Sequence, residues 1–306
     1  MRAFERSSLK GEIEEVNRLL RSISPDDFFA RVGLEHRLRQ LCDQLDADPG
    51  IHFQSRLTFK GEPVVGSYGI SASFGAKAMS AFSDAVSAVG ASLRGILADH
   101  GRLPDRPDFE MLITGTAVGS FGFELESRNR ELVDGGTVQE AVDRAQLLLE
   151  ASSLEEDDAL AEAAVGLDRR AIIKVRAFAE VLMQSGALCT LATKDRTFSF
   201  NNLQQVARSI ARLDDGYISE DEEILEGVLI GVLPVTRTFE FRLPDGDVIR
   251  GKVDRSVGEL DTLHQNGHRR CRVRVRTTQV GDGRPKYLFI GRPEFLDGPG
   301  LLDDGN

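Results

Sequence analysis

The sequence predicts a multidomain α+β protein. Helical N-terminal and middle regions surround an antiparallel sheet with a buried central helix, and a five-stranded β-barrel follows near the C-terminal end. Three observations support this prediction: a near-repeat flanks the longest helical pattern, apolar residues recur at three- and four-residue steps on both sides of it, and alternation at every second residue dominates the last quarter. The 306 residues suffice for two or three domains with their own cores.

Composition is that of an ordinary globular chain, with 41% hydrophobic and 28% charged residues. No apolar run approaches the roughly 20 residues that a membrane span needs, and the first residues lack the apolar stretch of a signal peptide. The three cysteines, Cys42, Cys189 and Cys271, are sparse and widely spaced, which is typical of reduced thiols. We therefore expect a cytoplasmic protein with no membrane association, whose cysteines are small buried hydrophobic residues.

Residues 1–50 form the first predicted region, a helical N-terminal segment. Apolar residues recur with helical spacing in two runs. Ser24 and Pro25 separate the runs, because serine caps helices and proline fits the first helical turn. An Asp-Pro-Gly sequence at 48–50 ends the second run, so the sequence predicts two helices here.

Residues 51–126 form the second predicted region, an α+β unit built around the near-repeat. The sequence V-G-S-Y-G at 65–69 returns as V-G-S-F-G at 118–122. A helix between the copies is predicted from Ser71 or Ser73 to about Ala98, and few charged residues lie along it. So low a charge indicates that other elements cover this helix on more than one side. We expect two matched strands that hold the helix against an antiparallel sheet.

Residues 127–219 are predicted to be mainly helical, with a hairpin near 188–200. The Asp-Asp-Gly sequence at 214–216, followed by the acidic run at 220–223, is interpreted as a boundary. The barrel is assigned to residues 220–295, and a flexible tail to residues 296–306. These assignments divide the chain into five parts.

The barrel prediction depends on the order of its elements. Strands are predicted at 224–235, 237–243 and 247–253, a short helix follows Ser256, and two further strands lie at 269–278 and 286–292. This order is that of an OB-type small barrel, and an SH3-like barrel is the close alternative. Residues 224–295 carry 13 Lys and Arg against 9 Asp and Glu, although the whole chain has a formal charge of −11.

A row of arginines in the fourth predicted strand is the main candidate site. Because side chains alternate along a strand, four guanidinium groups share one face and could bind a phosphate backbone or an acidic protein surface. They are Arg270, Arg272, Arg274 and Arg276. Aromatic residues in neighbouring strands could stack on bases or belong to the core. They are Phe239, Phe241, Tyr287 and Phe289. The alternative is a face paired with the protein's own acids, such as those at 221–223.

The glycine-rich copies are a second candidate, because closely spaced glycines let a backbone approach a ligand. The residues concerned are Gly66, Ser67, Gly69, Gly119, Ser120 and Gly122. A phosphate-binding P-loop is not matched, since the glycine spacing is one residue too long and Ala78 stands where a serine or threonine binds magnesium. The alternative is that these glycines serve close packing in strands.

His264, His268 and Cys271 are metal-ligand types within eight residues. The predicted layout separates them, because His264 ends a helix and Cys271 points into the barrel. No serine, histidine and aspartate arrangement can be assembled either. We predict no metal, no cofactor and no recognisable catalytic motif.

The functional expectation is a non-catalytic binding protein whose barrel docks an anionic partner, either nucleic acid or an acidic protein surface. One alternative is an enzyme or nucleotide sensor with a pocket at 64–70 and 115–122. Another is a scaffold subunit of a larger assembly. The oligomeric state stays open.

Overall fold

The computed structural model describes residues 3–23, 28–46, 54–95, 106–117, 121–127, 136–265 and 267–296. Within these ranges the helices are α1 (Ala3–Ser22), α2 (Phe28–Asp46), α3 (Ala72–Arg94), α4 (Gly136–Ser153), α5 (Asp157–Ala164), α6 (Arg169–Gln184), α7 (Leu203–Arg212) and α8 (Leu260–Gln265). The strands are β1 (Gln54–Gly61), β2 (Val64–Val65), β3 (Gly69–Ile70), β4 (Met111–Thr116), β5 (Phe121–Ser127), β6 (Ala187–Ala192), β7 (Thr197–Ser199), β8 (Ile218–Leu233), β9 (Thr238–Arg242), β10 (Val248–Val253), β11 (Arg269–Val280) and β12 (Lys286–Phe295). The predicted α+β class, the helix pair before residue 51 and the β6–β7 hairpin are confirmed.

A five-stranded antiparallel sheet lies beneath the central helix α3, in the order β4-β5-β1-β6-β7. Phe74 of α3 meets Phe59 of β1 edge-on, with ring centroids 5.2 Å apart. On another side, Phe82 of α3 packs on Phe178 of α6 at 5.3 Å, and α4 also contacts α3. Covered on several sides, α3 has little room for charged side chains. The predicted buried central helix is confirmed, with its end at Arg94; residues 96–98 lie outside the described ranges.

The C-terminal strands close into a barrel in the order β10-β12-β11-β8-β9. β10 and β12 run parallel, whereas the other pairs described are antiparallel. The helix α8 lies between β10 and β11 along the chain. The predicted order of three strands, a helix and two strands is therefore confirmed. Of the tail predicted at 296–306, only Leu296 lies within the described residues.

The first barrel strand begins earlier than predicted. β8 starts at Ile218, not at residue 224, and pairs with β11 from Ile218 opposite Val280 to Leu229 opposite Arg269. The acidic residues at 220–223 therefore belong to this strand, where Glu222 lies opposite Arg276 and opposite charges stabilise such a pair. Counted from residue 218 to 295, the barrel has 13 basic and 13 acidic residues. The predicted basic excess disappears.

The barrel contacts the helical part through the start of α5. The guanidinium of Arg212 on α7 lies 2.8 Å from an oxygen of Asp157, and the Tyr217 hydroxyl donates to the same carboxylate at 2.9 Å. This hydrogen bond raises the pKa of the Tyr217 phenol. The neighbouring Asp158 accepts a hydrogen bond from the backbone N–H of Arg284, in the turn between β11 and β12. One barrel turn is thereby fixed against α5.

Cys189 and Cys271 are buried among apolar side chains, as predicted. Burial raises the pKa of the Cys189 thiol to about 12 and that of Cys271 to about 11, so both are protonated at neutral pH. Cys42 is half-buried. Among the described helices, none combines the length and the apolar character that crossing a membrane requires.

Candidate binding surface

The arginine row lies on the outer face of the barrel. Along β11, Cys271, Val273 and Val275 are buried in the barrel core, while the intervening side chains point outward. The predicted alternation is confirmed, and it brings together Arg270, Arg272, Arg274 and Arg276. The antiparallel neighbour β8 contributes the acidic residues of the same face.

Three of the four arginines are paired with acids of β8. Glu226 accepts hydrogen bonds from Arg270 at 3.1 Å and from Arg272 at 3.2 Å, and Glu222 lies 2.8 Å from Arg276. These pairs follow from the register, which sets Glu226 opposite Arg272 and Glu222 opposite Arg276. The alternative of a face paired with the protein's own acids therefore holds for these three residues.

Arg274 differs from its neighbours. Its side chain is exposed, and within the described part of the chain it makes no ion pair or side-chain hydrogen bond. Arg274 lies opposite Ile224 on β8 and Ile290 on β12, and the two nearest acids of β8, Glu222 and Glu226, are already paired with the other three arginines. Ile224 is 64% exposed. We call these three residues, Ile224, Arg274 and Ile290, the Arg274 patch.

The aromatic residues considered for base stacking belong mainly to the barrel core. Phe239, Phe241 and Phe289 are 2%, 0% and 0% exposed, so their rings present no face to a ligand. Tyr287 is half-buried, and burial raises the pKa of its phenol. Stacking through the three phenylalanines is thus excluded. They face inward because they alternate with the outward residues of β9 and β12.

The two glycine-rich copies occupy different environments, so the expectation of two matched strands is wrong. Gly66 and Ser67 lie exposed in the turn between the short strands β2 and β3, and Gly66 adopts a positive φ of 59° there. Gly69 begins β3. In the second copy Gly122 is buried within β5, where a side chain would collide with backbone of β1. Gly119 and Ser120 lie outside the described residues.

Two cavities lie where the barrel meets the helical part. One, of about 340 Å³, is lined by side chains that include Arg94, Arg255, Arg274 and Arg276, and we call it the arginine cavity. The other, of about 480 Å³, is lined by six Asp and Glu residues together with Arg169 and Arg276, and we call it the acidic cavity. Neither cavity is lined by a described residue of the glycine-rich segments.

Most charges of the acidic cavity are already paired. Asp215 binds Arg169 at 2.7 Å, which lowers the pKa of the Asp215 carboxyl. Asp214 binds Arg176, outside the cavity, at 3.2 Å. Burial raises the pKa of Glu220, although the charge of Arg276 acts in the opposite direction.

A metal site was considered at His264, His268 and Cys271. Nδ1 of His264 lies 2.7 Å from the Val232 carbonyl oxygen, while Cys271 points into the barrel core. Across the residues that the structure describes, no group of three or more His, Cys, Asp or Glu side chains could hold a metal ion.

The arginine cavity could not be found from the sequence. Arg94 ends α3, Arg255 follows β10, and Arg274 lies on β11, so only the packing of barrel on helices brings them together. The ligands of the surface and of the cavities are inferred from the charge, shape and exposure of these sites. A scan of protein-family models finds none that matches this chain, and searches of curated proteins and of solved structures likewise return no match.

Proposed function

We propose that this chain is a non-catalytic binding protein whose barrel docks an acidic, partly apolar segment of a partner protein on the Arg274 patch. One observation carries the proposal: an exposed guanidinium without an acid of its own lies between two isoleucines, one of them largely exposed. A carboxylate of the partner would supply the missing countercharge. Apolar side chains beside it would cover Ile224 and Ile290, because removing apolar surface from water favours association.

The charge of the barrel favours a protein partner over nucleic acid. A protein that follows a phosphate backbone needs several uncompensated Lys or Arg residues. Here the barrel is electrically balanced, and acids of β8 pair with Arg270, Arg272 and Arg276. Of the four arginines in the row, only Arg274 is without an acid among the described residues, and one such guanidinium suits a local contact with a carboxylate better than the tracking of a polyanion.

The barrel type points the same way. We infer an OB-type barrel rather than an SH3-like one, because its third and fifth strands pair in parallel and a helix lies between its third and fourth. OB barrels bind oligonucleotides on the face of strands two and three and at the loops that join strands one to two and four to five. In this chain the backbone of the loop between strands four and five donates to Asp158 of α5, so the helical part lies against it. The outer face of β11 stays accessible.

The two alternatives rest on less. A catalytic or nucleotide-sensing pocket at the glycine-rich segments draws support only from their composition, since one copy is an exposed turn and Gly122 is buried in the sheet. A scaffold role for residues 127–213 rests on no particular contact. We place the protein in a reducing cytoplasm, which its three free cysteines favour.

Replacing Arg274 with alanine should weaken binding of an acidic, apolar peptide about tenfold, because the peptide loses its charged anchor. The probe is a fluorescein-labelled peptide of alternating Glu and Leu, and fluorescence anisotropy at physiological salt measures its Kd with the full chain. Ile224→Ser should also weaken binding. Arg250→Ala is the matched control, because Arg250 is an exposed barrel arginine paired with Glu240 on another strand.

Two results would contradict the proposal. One is a peptide affinity that Arg274→Ala leaves unchanged. The other is tighter binding of an oligo-dT single strand than of the peptide, with the steep loss of affinity on adding salt that phosphate contacts produce. That second outcome would indicate that the barrel binds nucleic acid.

A further inference from the structure

The arginine cavity overlaps the Arg274 patch, because Arg274 and Ile290 belong to both, whereas Ile224 belongs to the patch alone. Its walls come from the end of α3, the loop before α6, the segment after β10, and strands β8, β11 and β12. A volume of about 340 Å³ is at the small end of the range for ligand sites, which begins at about 300 Å³. The cavity has room for a compact molecule with a few polar groups.

The positive charges of this cavity exceed the negative ones. It is lined by four arginines but by only three carboxylates, those of Asp168, Glu222 and Asp254. Two of these are held by nearby backbone: Asp168 accepts from the N–H of Arg170 at 2.9 Å, and Asp254 accepts from the N–H of Ser256 at 2.9 Å.

Three of the four guanidinium groups have acidic partners. Arg94 binds Asp108 at 2.6 Å, Arg255 binds Glu140, and Arg276 binds Glu222. Among these four, Arg274 is the one without an acidic partner in the described part of the chain. Both Asp108 and Glu140 lie outside the lining of the cavity, so their arginines still contribute positive potential to it.

We propose that the arginine cavity binds a small organic phosphate monoester, with Arg274 as its main contact. A guanidinium matches the oxygens of a phosphate with two parallel N–H donors, which makes arginine the usual residue for this recognition. Arg276 and Arg255 also line the cavity and add to the attraction. The ligand bridges barrel and helices, and it is a small molecule rather than the protein partner of the patch.

Calorimetric titration of the full chain with glycerol 3-phosphate tests this proposal, at constant ionic strength. We expect saturable binding that Arg274→Ala weakens at least about tenfold and that Arg255→Ala weakens less. Arg270→Ala is the matched control, since Arg270 lies in the same row but not in the cavity lining. Ile224→Ser should leave the titration unchanged while it weakens peptide docking, so the two proposals fail independently.

The proposal is overturned if glycerol 3-phosphate gives no saturable heat, or if Arg274→Ala binds it as tightly as the unaltered chain. Glycerol alone should not bind, because the phosphate is the recognised group. Equal affinity for inorganic phosphate and for the ester would also overturn it, by showing a site for the free anion.

Discussion

Replacing Gly122 with valine should lower the free energy of unfolding by about 3 kcal/mol or more, because overpacking against backbone cannot be relieved by side-chain motion. A Cβ atom at this position would lie 2.2 Å from the Leu57 carbonyl oxygen and 2.4 Å from the Thr58 Cα on the neighbouring strand. Urea denaturation followed by circular dichroism measures the change. If the valine variant does not fold, Gly122→Ala provides a milder test with the same sign.

Gly69→Ala is the matched control from the other glycine-rich copy. The nearest atom to its added Cβ, on Val65, is 3.8 Å away, and Gly69 is not among the positive-φ glycines. The expected change is within about 1 kcal/mol. Equal effects at both positions would contradict the structural explanation of Gly122. Retained stability of Gly122→Val would do so as well.

Arg212→Met should destabilise the protein by about 3–5 kcal/mol, which is the usual consequence of removing one member of a buried ion pair. The side chain is only 9% exposed, and besides Asp157 it donates to the backbone carbonyls of Glu155 and Glu156. Methionine keeps the apolar contacts but leaves these acceptors without their donor. Thermal and urea unfolding measure the loss.

Arg208 provides the comparison on the same helix, one turn earlier. Its side chain is 37% exposed and its partner Glu155 is 81% exposed, so Arg208→Ala should cost about 1 kcal/mol or less. Hydrogen exchange adds a second readout: in Arg212→Met, protection should fall in α5, where Asp157 loses its ion-pair partner, and in the turn between β11 and β12, which the neighbouring Asp158 binds. Losses of similar size in the two variants would contradict the special role of Arg212.

Much of the fold could be predicted because it depends on local patterns. Alternation along 269–280 placed Cys271, Val273 and Val275 inside the barrel and the arginines outside, as the structure has them. The low charge of the segment after Ser71 predicted a helix covered on several sides, and α3 is so covered. These inferences need only the spacing of apolar residues along the chain and the free-energy cost of burying a charge.

The errors concern facts that only strand pairing and tertiary packing supply. The sequence does not show that Glu222 and Glu226 lie opposite arginines, because the pairing of β8 with β11 decides this. The same register leaves Arg274 between isoleucines, which the sequence pattern of four equivalent arginines conceals. The two glycine-rich copies have similar sequences but different surroundings. Gly66 adopts the positive φ of a turn, whereas Gly122 lies so close to the backbone of β1 that a side chain does not fit.

The central claim is that the Arg274 guanidinium contacts a carboxylate of the partner. Charge reversal tests it most directly, by measuring the Kd of the Arg274→Glu variant for two labelled peptides, one alternating Glu and Leu and the other alternating Lys and Leu. We expect the Kd of the variant for the Glu peptide to rise more than about tenfold, and its Kd for the Lys peptide to fall. If both peptides bind the variant as they bind the unaltered chain, the anionic partner does not dock on this patch.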